Sequence, residues 1–220
     1  KKSFKKIPNF SFTTVIHCAA QASNAISWQK PNHDLKYNLN ATRNLLEFCK
    51  QRKIRRFIYT SSMSVYGEPA HLPTPEKSIM LPLTYYGVHK HASENYIRIY
   101  KNECDINFTI FRLYTTYGVK QNLDNLNQGL LSIYVSYIKK NKPLVIKGSL
   151  ERTRDIIHVN DVCTAILLSL NNKKTFNEIY NLGFGQTIKL KKVVKLLLKG
   201  FGYNIQHYPI ILQKPTQGDP

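Results

Sequence analysis

Acidic residues are scarce in this chain of 220 residues: 13 aspartates and glutamates stand against 32 lysines and arginines, a formal net charge of +19. Such an excess is typical of proteins that bind nucleic acids or anionic membranes. The basic residues are scattered, however, and aromatic residues do not alternate with them as a base-stacking surface would require. We therefore expect a lysine-rich, solvated surface, with neither a nucleic-acid partner nor a membrane partner.

The chain also lacks closely spaced cysteines and long apolar runs. Its four cysteines lie far apart, without a C-x-x-C pair or a histidine at zinc-ligand spacing, so we expect no metal site. Reduced thiols of this kind fit a cytoplasmic protein. No apolar run approaches the ~20 residues that cross a bilayer. A hydrophobic fraction of 42% is nevertheless ample for a sizeable core, which predicts a soluble, globular, cytoplasmic protein.

Strand and helix patterns alternate along most of the sequence, which predicts an α/β fold with right-handed crossovers and a parallel sheet. Residues 1–12 show no pattern and are expected to form a loose leader or the end of a missing segment. The loop 68–83 holds four prolines, too many for a regular element. We predict a loop around Arg152 and Arg154, a helix to Leu170 that Asn160 or Asp161 caps, and lysines on the exposed face of the last helix. The predicted strands are 13–20, 54–61, 106–113, 143–147 and 178–182, and the predicted helices are 34–51, 84–101, 130–140, 160–170 and 187–198.

The stretch from Thr60 to Lys90 contains the residues with the clearest chemistry. Ser62 follows an apolar strand, and Tyr86 and Lys90 lie one helical turn apart on the same face of the next helix. A tyrosine phenol titrates near ~10, and a neighbouring lysine favours its anion. Ser62 could hold a substrate oxygen while Tyr86 takes its proton and a hydride leaves for a nicotinamide. Tyr85 and His89 offer a rival pair at the same spacing, but Lys90 is the cation that stays charged at neutral pH.

Five motifs, in order and spacing, make the chain resemble the extended short-chain dehydrogenase/reductase family, and within it the nucleotide-sugar epimerases of the UDP-glucose 4-epimerase type. The motifs are Val15–Ala20, Tyr59–Gly67, Tyr86–Lys90, Phe111–Gly118 and Arg154–Val162. The resemblance implies a Rossmann-like, doubly wound parallel sheet and a nucleotide-sugar substrate. It also implies a dimer through the helices at about 34–51 and 84–101.

The resemblance assigns roles to individual residues. It implies a catalytic set of Ser62, Tyr86 and Lys90. It implies NAD as the cofactor and a nucleotide-diphosphate sugar as the substrate. The implied NAD contacts are Cys18, Ala19, Ala20, Tyr86, Lys90 and Tyr114. The implied substrate contacts are Ser62, Thr115 and Arg154, where Arg154 would grip the diphosphate unless it forms a salt bridge to Asp155 or Asp161.

Departures from the family pattern modify these expectations. The opening strand, the glycine-rich turn and the acidic residue that hold a dinucleotide are not found, so the sheet is expected to be partial, lacking its first strands, in a chain truncated at both ends. Thr115 replaces the family's common asparagine. Met63 and Ser64 stand where sugar dehydratases of this family have aspartate and glutamate, which argues against dehydration.

These patterns predict two parts and one main activity. Residues 1–118 would form a partial dinucleotide-binding and catalytic part. Residues 119–220 would mainly bind the nucleotide sugar in a small α/β part, with elements that return to the main sheet. The expected activity is NAD-dependent epimerisation by transient oxidation of one sugar carbon. The alternatives are a nucleotide-sugar reductase or decarboxylase of the same fold, and an inactive chain that does not bind NAD.

Overall fold

A computed structural model describes residues 10–215, so most of the expected leader lies outside the described residues. Nine strands occur in this part of the chain: β1 (Thr14–His17), β2 (Arg56–Ser62), β3 (Asn107–Leu113), β4 (Thr115–Tyr117), β5 (Leu144–Lys147), β6 (Thr153–His158), β7 (Glu178–Leu182), β8 (Thr187–Lys189) and β9 (Ile210–Gln213). The α-helices over the same range are α1 (Asn24–Gln29), α2 (Pro31–Leu35), α3 (Ala41–Gln51), α4 (Tyr85–Cys104), α5 (Leu130–Lys139), α6 (Val159–Ser169) and α7 (Leu190–Gly200).

The main sheet has the order β1-β2-β3-β7, and every neighbouring pair is parallel. All seven residues of β2 are buried, as expected for a strand covered on both faces. Its side chains alternate between two cores: Phe57 and Tyr59 pack with α3 and α4, whereas Ile58 packs with α6. Helices therefore cover both faces, which confirms the predicted doubly wound α/β sheet.

Two smaller sheets extend beyond the main sheet. One has the order β4-β6-β8, and the other pairs β5 with β9 in parallel. A separate apolar core joins α5 and α7 to the second small sheet through Ile138, Leu144, Ile146 and Leu198. The sequence patterns did not predict β4 or β9, which are short and carry no clear alternation.

The helix predicted at 34–51 is wrong at its start. Helical structure begins at α1, where the Ser23 side chain accepts a hydrogen bond from the backbone N–H of Ile26. It continues through α2 and a π-helical turn at Lys36–Asn40 into α3. The missed part precedes residue 34, where the fully buried side chain of α1 is the polar Ser27, so apolar periodicity gives no signal there.

Three further boundaries need correction. The loop predicted around Arg154 is strand β6. Helix α6 is capped by His158, whose Nδ1 accepts from the Asn160 backbone N–H, and not by Asn160 or Asp161. The helix predicted from Thr187 begins at Leu190, because Thr187–Lys189 pair with β6 as strand β8.

The predicted exposed lysine stripe on α7 is confirmed: Lys191, Lys195 and Lys199 are exposed, and Val194 and Leu198 are buried.

Within residues 10–215, none of the helices combines the length and apolar character needed to cross a membrane.

Candidate active site

The candidate site lies where β2 ends and α4 begins, at the carboxyl edge of the parallel sheet, where such sheets bind ligands. Ser62 is the last residue of β2 and is followed by a 3₁₀ turn at Met63–Val65. Thr84 caps α4, since its hydroxyl accepts from the Gly87 N–H at 3.0 Å. A Cβ added to Gly87 would lie 2.5 Å from the Ser64 carbonyl oxygen. Glycine at this position lets α4 approach the turn that follows Ser62.

Tyr86 and Lys90 face the end of β2 from the first turns of α4. Both are buried, with 8% and 2% of their surface exposed. Lys90 Nζ donates to the Thr60 carbonyl oxygen at 2.8 Å and lies 5.8 Å from the centre of the Tyr86 ring. The Tyr59 ring is 4.6 Å from the same nitrogen. The Lys90 ammonium group thus lies near two tyrosine rings, and the hydroxyl of one of them, Tyr86, is the candidate base.

The electrostatics of Tyr86 are set by opposing effects. Burial raises the pKa of Tyr86, while the positive charge of Lys90 and a hydrogen bond with Ser62 lower it. Lys90 therefore acts in the direction that the sequence spacing predicts, although burial outweighs it. Burial in turn lowers the pKa of Lys90, and the Tyr86 phenol opposes this shift. Each of the two groups favours the charged form of the other.

Ser62 also belongs to a local hydroxyl pair. Its Oγ lies in hydrogen-bond contact with Ser64 Oγ at 3.1 Å and accepts from the Ser64 backbone N–H at 3.2 Å. In the sequence, Ser64 is notable only because it lacks a carboxylate. The structure shows that its hydroxyl and amide orient the Ser62 side chain.

The rival pair at Tyr85 and His89 points elsewhere. Tyr85 is 41% exposed, and its ring packs edge-on against Trp28 with centroids 5.0 Å apart. His89 Nδ1 lies 2.6 Å from Asp34 Oδ2. The His89 side chain therefore joins α4 to α2 and does not face Tyr85.

The residues expected to contact a dinucleotide follow β1 and β3. Cys18, Ala19 and Ala20 are exposed immediately after β1, so their small side chains leave the backbone at the sheet edge accessible. Tyr114 follows β3 and is half-buried, with its N–H bonded to the Leu182 carbonyl oxygen. Burial raises the pKa of Tyr114, and a hydrogen bond with Thr74 opposes the rise.

Thr115 and Arg154 lie on adjacent strands of the β4-β6-β8 sheet. Thr115 pairs with Ile156, two residues after Arg154, so the side chains of Thr115 and Arg154 share one face of this sheet. The Asp155 carboxylate accepts the backbone N–H groups of Phe184 and Gly185 at 2.6 and 2.9 Å. Asp155 thus fixes the loop after β7.

Several residues at the site were not identified from sequence. The Thr60 carbonyl, which accepts from Lys90, is a backbone group, so its role cannot be inferred from residue type. Glu94, in contrast, follows Tyr86 and Lys90 at four-residue spacing and lies on the same face of α4. Its spacing was the signal that could have identified it. Arg112, its ion-pair partner, lies within a motif that the resemblance already marked.

Comparison with known proteins yields consistent matches. The family model described as "NAD dependent epimerase/dehydratase family" matches residues 1–183. A putative UDP-glucose 4-epimerase of Methanocaldococcus jannaschii is 34% identical over 206 residues, covering 93% of this chain and 65% of the relative.

Solved structures agree with the sequence matches. A UDP-glucose 4-epimerase from Thermotoga maritima, crystallised with UDP-glucose, superimposes with a TM-score of 0.87 at 32% identity, covering 94% of this chain and 66% of that one. A UDP-glucuronic acid 4-epimerase from Bacillus cereus, in complex with UDP-glucuronic acid and NAD, gives a TM-score of 0.85 at 29% identity, covering 95% and 65%. The chain therefore spans about two thirds of the length of these proteins.

Proposed function

Because the chain belongs to the NAD dependent epimerase/dehydratase family, we propose that it provides the catalytic set of an NAD-dependent UDP-sugar 4-epimerase. The observation that carries the proposal is the buried contact of Tyr86 with Lys90, held at the end of β2 beside Ser62. The choice of a UDP-sugar and of carbon 4 is supported by the printed names of the relatives and structural neighbours.

The proposed chemistry uses Tyr86 as the proton carrier. Tyr86, as its phenolate, takes the proton of the sugar hydroxyl while the carbon beneath becomes a carbonyl. It returns that proton when the hydroxyl is restored in the opposite configuration. Ser62 binds the same substrate oxygen, and Lys90 stabilises the phenolate. Met63 and Ser64 follow the catalytic serine in place of a carboxylate pair, so no residue at these two positions can remove the second proton that water loss requires.

The residues at the ends of β1, β2 and β3 fit an NAD cofactor, while the glycine-rich turn that binds the diphosphate of a dinucleotide is not found in this sequence. NAD supplies a reversible acceptor for the hydride that leaves the sugar carbon. The exposed small residues Cys18, Ala19 and Ala20 would border it at the end of β1, and Tyr114 would flank it beyond β3. The Thr60 carbonyl uses one of the three N–H donors of Lys90, which leaves donor capacity for cofactor hydroxyl groups.

We assign the nucleotide end of the substrate to the part of the chain after residue 118, with Thr115 at its border. Arg154 would bind the diphosphate, since its planar fork of donors matches phosphate oxygens. Replacing Arg154 with methionine should raise the KM for UDP-glucose with little change in kcat, because the lost contact serves ground state and transition state alike. Lys195→Met, on the exposed face of α7, is the control for loss of one positive charge. An unchanged KM in Arg154→Met would contradict the assignment.

A direct assay separates the proposed activity from its alternatives. With UDP-glucose and catalytic NAD, proton NMR should show UDP-galactose forming without net NADH. A reductase would consume NADH, and a decarboxylase would release carbon dioxide from a UDP-uronic acid. A chain that binds no NAD would show no rise in unfolding temperature when NAD is added. Any of these results would contradict the proposal.

A homodimer through α3 and α4 is part of the proposal. On the outer face of α4, Val88 and Ile99 lie three turns apart and are 45% and 53% exposed. Tyr37 is exposed beside it, before α3. The paired change Val88→Lys with Ile99→Lys should yield a monomer in sedimentation, and a wild-type protein that is already monomeric would refute the dimer.

The four cysteines are free thiols, which supports a cytoplasmic location.

A further inference from the structure

A buried ion pair between Arg112 and Glu94 lies behind the proposed catalytic residues. Both side chains are fully buried. Arg112 Nη2 donates to Glu94 Oε2 at 2.7 Å, and Nε donates to Oε1 at 3.0 Å. This two-point contact fixes the orientation of both groups as well as their distance.

Glu94 connects the ion pair to the two elements that carry the catalytic side chains. It lies one turn after Lys90 and two turns after Tyr86 on the same face of α4. Its Oε1 also accepts a hydrogen bond from Ser61 Oγ at 2.6 Å. Ser61 immediately precedes Ser62. A single carboxylate therefore joins the strand end that bears Ser62 to the helix that bears Tyr86 and Lys90.

Arg112 connects the same ion pair to the proline-rich loop. Its Nη1 donates to the Tyr66 hydroxyl at 2.7 Å and to the Glu76 carbonyl oxygen at 2.8 Å. The Tyr66 hydroxyl in turn donates to Asn181 Oδ1 at 2.7 Å, and Asn181 Nδ2 donates to the Thr74 carbonyl oxygen at 2.7 Å. Through Arg112, the loop and β7 are tied to the same point as the catalytic elements.

We propose that Arg112 and Glu94 are positioning residues of the active site, which hold Ser62, the Tyr86–Lys90 turn and the loop 67–83 in one arrangement. The proposal rests on the proposed function. A buried ion pair contributes little net stability compared with apolar side chains of similar volume, because desolvation offsets the attraction between its charges. Its contribution here is the relative placement of the strand end and the helix whose Ser62 and Tyr86 act on one substrate oxygen, together with the loop whose Pro82 lies beside Gly87 in α4. Small misplacements of reacting groups lower turnover strongly.

The test replaces both charges together, as Glu94→Met with Arg112→Met, so that no unpaired charge remains buried. We expect a cooperatively folded protein whose kcat for UDP-glucose falls by at least about tenfold, while KM changes much less. Amide hydrogen exchange in residues 67–83 should become at least about tenfold faster without a matching change in global unfolding. Tyr66→Phe, which removes one hydroxyl of the network, should change both quantities in the same direction by a smaller factor, and it provides the test if the double variant does not fold.

Arg56→Met is the matched control. Arg56 is a buried arginine at the opposite end of β2, where it donates to Thr109 Oγ1 at 2.6 Å and to the Ser169 carbonyl oxygen at 2.8 Å. This change should lower stability and leave kcat and loop exchange unaltered. Wild-type kcat and wild-type exchange in the folded variants of Glu94, Arg112 and Tyr66 would overturn the positioning role. If the unaltered protein does not epimerise UDP-sugars, the proposed function fails, and loop exchange alone then decides the inference.

Discussion

The decisive feature at the scale of residues is that two adjacent tyrosines in α4 have opposite surroundings. Tyr86 is buried against Lys90, whereas Tyr85 is exposed against Trp28. The sequence favours the pair Tyr86 and Lys90 over the pair Tyr85 and His89, because an unperturbed lysine is charged at neutral pH and an unperturbed histidine is mostly neutral. It could not show that the Thr60 carbonyl holds the ammonium group, since a backbone acceptor leaves no trace in residue identity.

Phenylalanine substitution distinguishes the two tyrosines. Tyr86→Phe removes only the hydroxyl that carries the proton, so we expect kcat to fall by at least about 100-fold, the range of general acid–base contributions. NAD should still raise the unfolding temperature of this variant. Tyr85→Phe is the control and should keep wild-type turnover. Comparable activity of the two variants would rule out Tyr86 as the proton carrier.

His17 predicts a pH dependence of stability. Its Nε2 lies 3.0 Å from Thr42 Oγ1, whose own proton goes to the Asn38 carbonyl, so His17 Nε2 carries a hydrogen and donates. Burial, together with the charge of Lys90, lowers the pKa of His17 to about 4. In the unfolded chain, His17 is therefore protonated as the pH falls below about 6.5, whereas in the folded chain it is protonated only near pH 4. The free energy of unfolding should fall by up to about 3 kcal/mol as pH drops through this window.

Denaturant unfolding at several pH values checks this prediction. His17→Gln keeps a donor for Thr42 but cannot titrate, so its stability should decline less between pH 6.5 and 4 than that of the wild type. His207→Gln alters an exposed histidine and should leave the wild-type slope in place. Parallel slopes for the wild type and His17→Gln would show that His17 does not cause the decline.

At the scale of elements, the approach of α4 to the turn after β2 determines the site. Gly87→Ala would place a methyl group 2.5 Å from the Ser64 carbonyl oxygen and 2.9 Å from Pro82 Cβ, so helix and turn must separate. We expect lower stability by roughly 1–3 kcal/mol and a lower kcat, measured by thermal unfolding and by the NMR assay. Gly200→Ala in α7 meets no atom within 4 Å and should leave activity unchanged. A fully active Gly87→Ala protein would show that this close approach is not required.

The same scale shows what sequence patterns could predict. Apolar runs predicted β2 and β3 to within two residues, because both strands are buried on both faces. Helical structure at residues 24–33, before the predicted start at 34, was missed because its one buried helical side chain in α1 is polar: Ser27 is fully buried and donates to the Asn24 carbonyl oxygen, without apolar packing at helical spacing. Strand β8 was predicted as the start of a helix, because three residues are too few to show the alternation of inward and outward side chains that marks a strand.

At the scale of the whole molecule, the contact between Arg112 and Glu94 could not have been predicted, although the spacing of Glu94 and the motif around Arg112 mark each residue separately. Its members are separated along the chain and belong to α4 and β3. Ser61 donates to Glu94, Tyr66 accepts from Arg112, and Asn181 in turn accepts from Tyr66, so the network also includes residues of β2, the turn after it and β7. Only the folded sheet brings them together. The proposed catalytic set, in contrast, is compact in sequence, so residue spacing and chemistry were enough to propose it.

The most direct measurement of the central claim follows a deuterium atom at carbon 4 of the sugar. UDP-glucose labelled there is incubated with the protein and NAD, and the product is examined by NMR and mass spectrometry. Transient oxidation with return of the same hydride predicts UDP-galactose that retains the deuterium at carbon 4, with no net NADH. Loss of deuterium to water, accumulation of NADH or the absence of conversion would contradict epimerisation by Ser62, Tyr86 and Lys90.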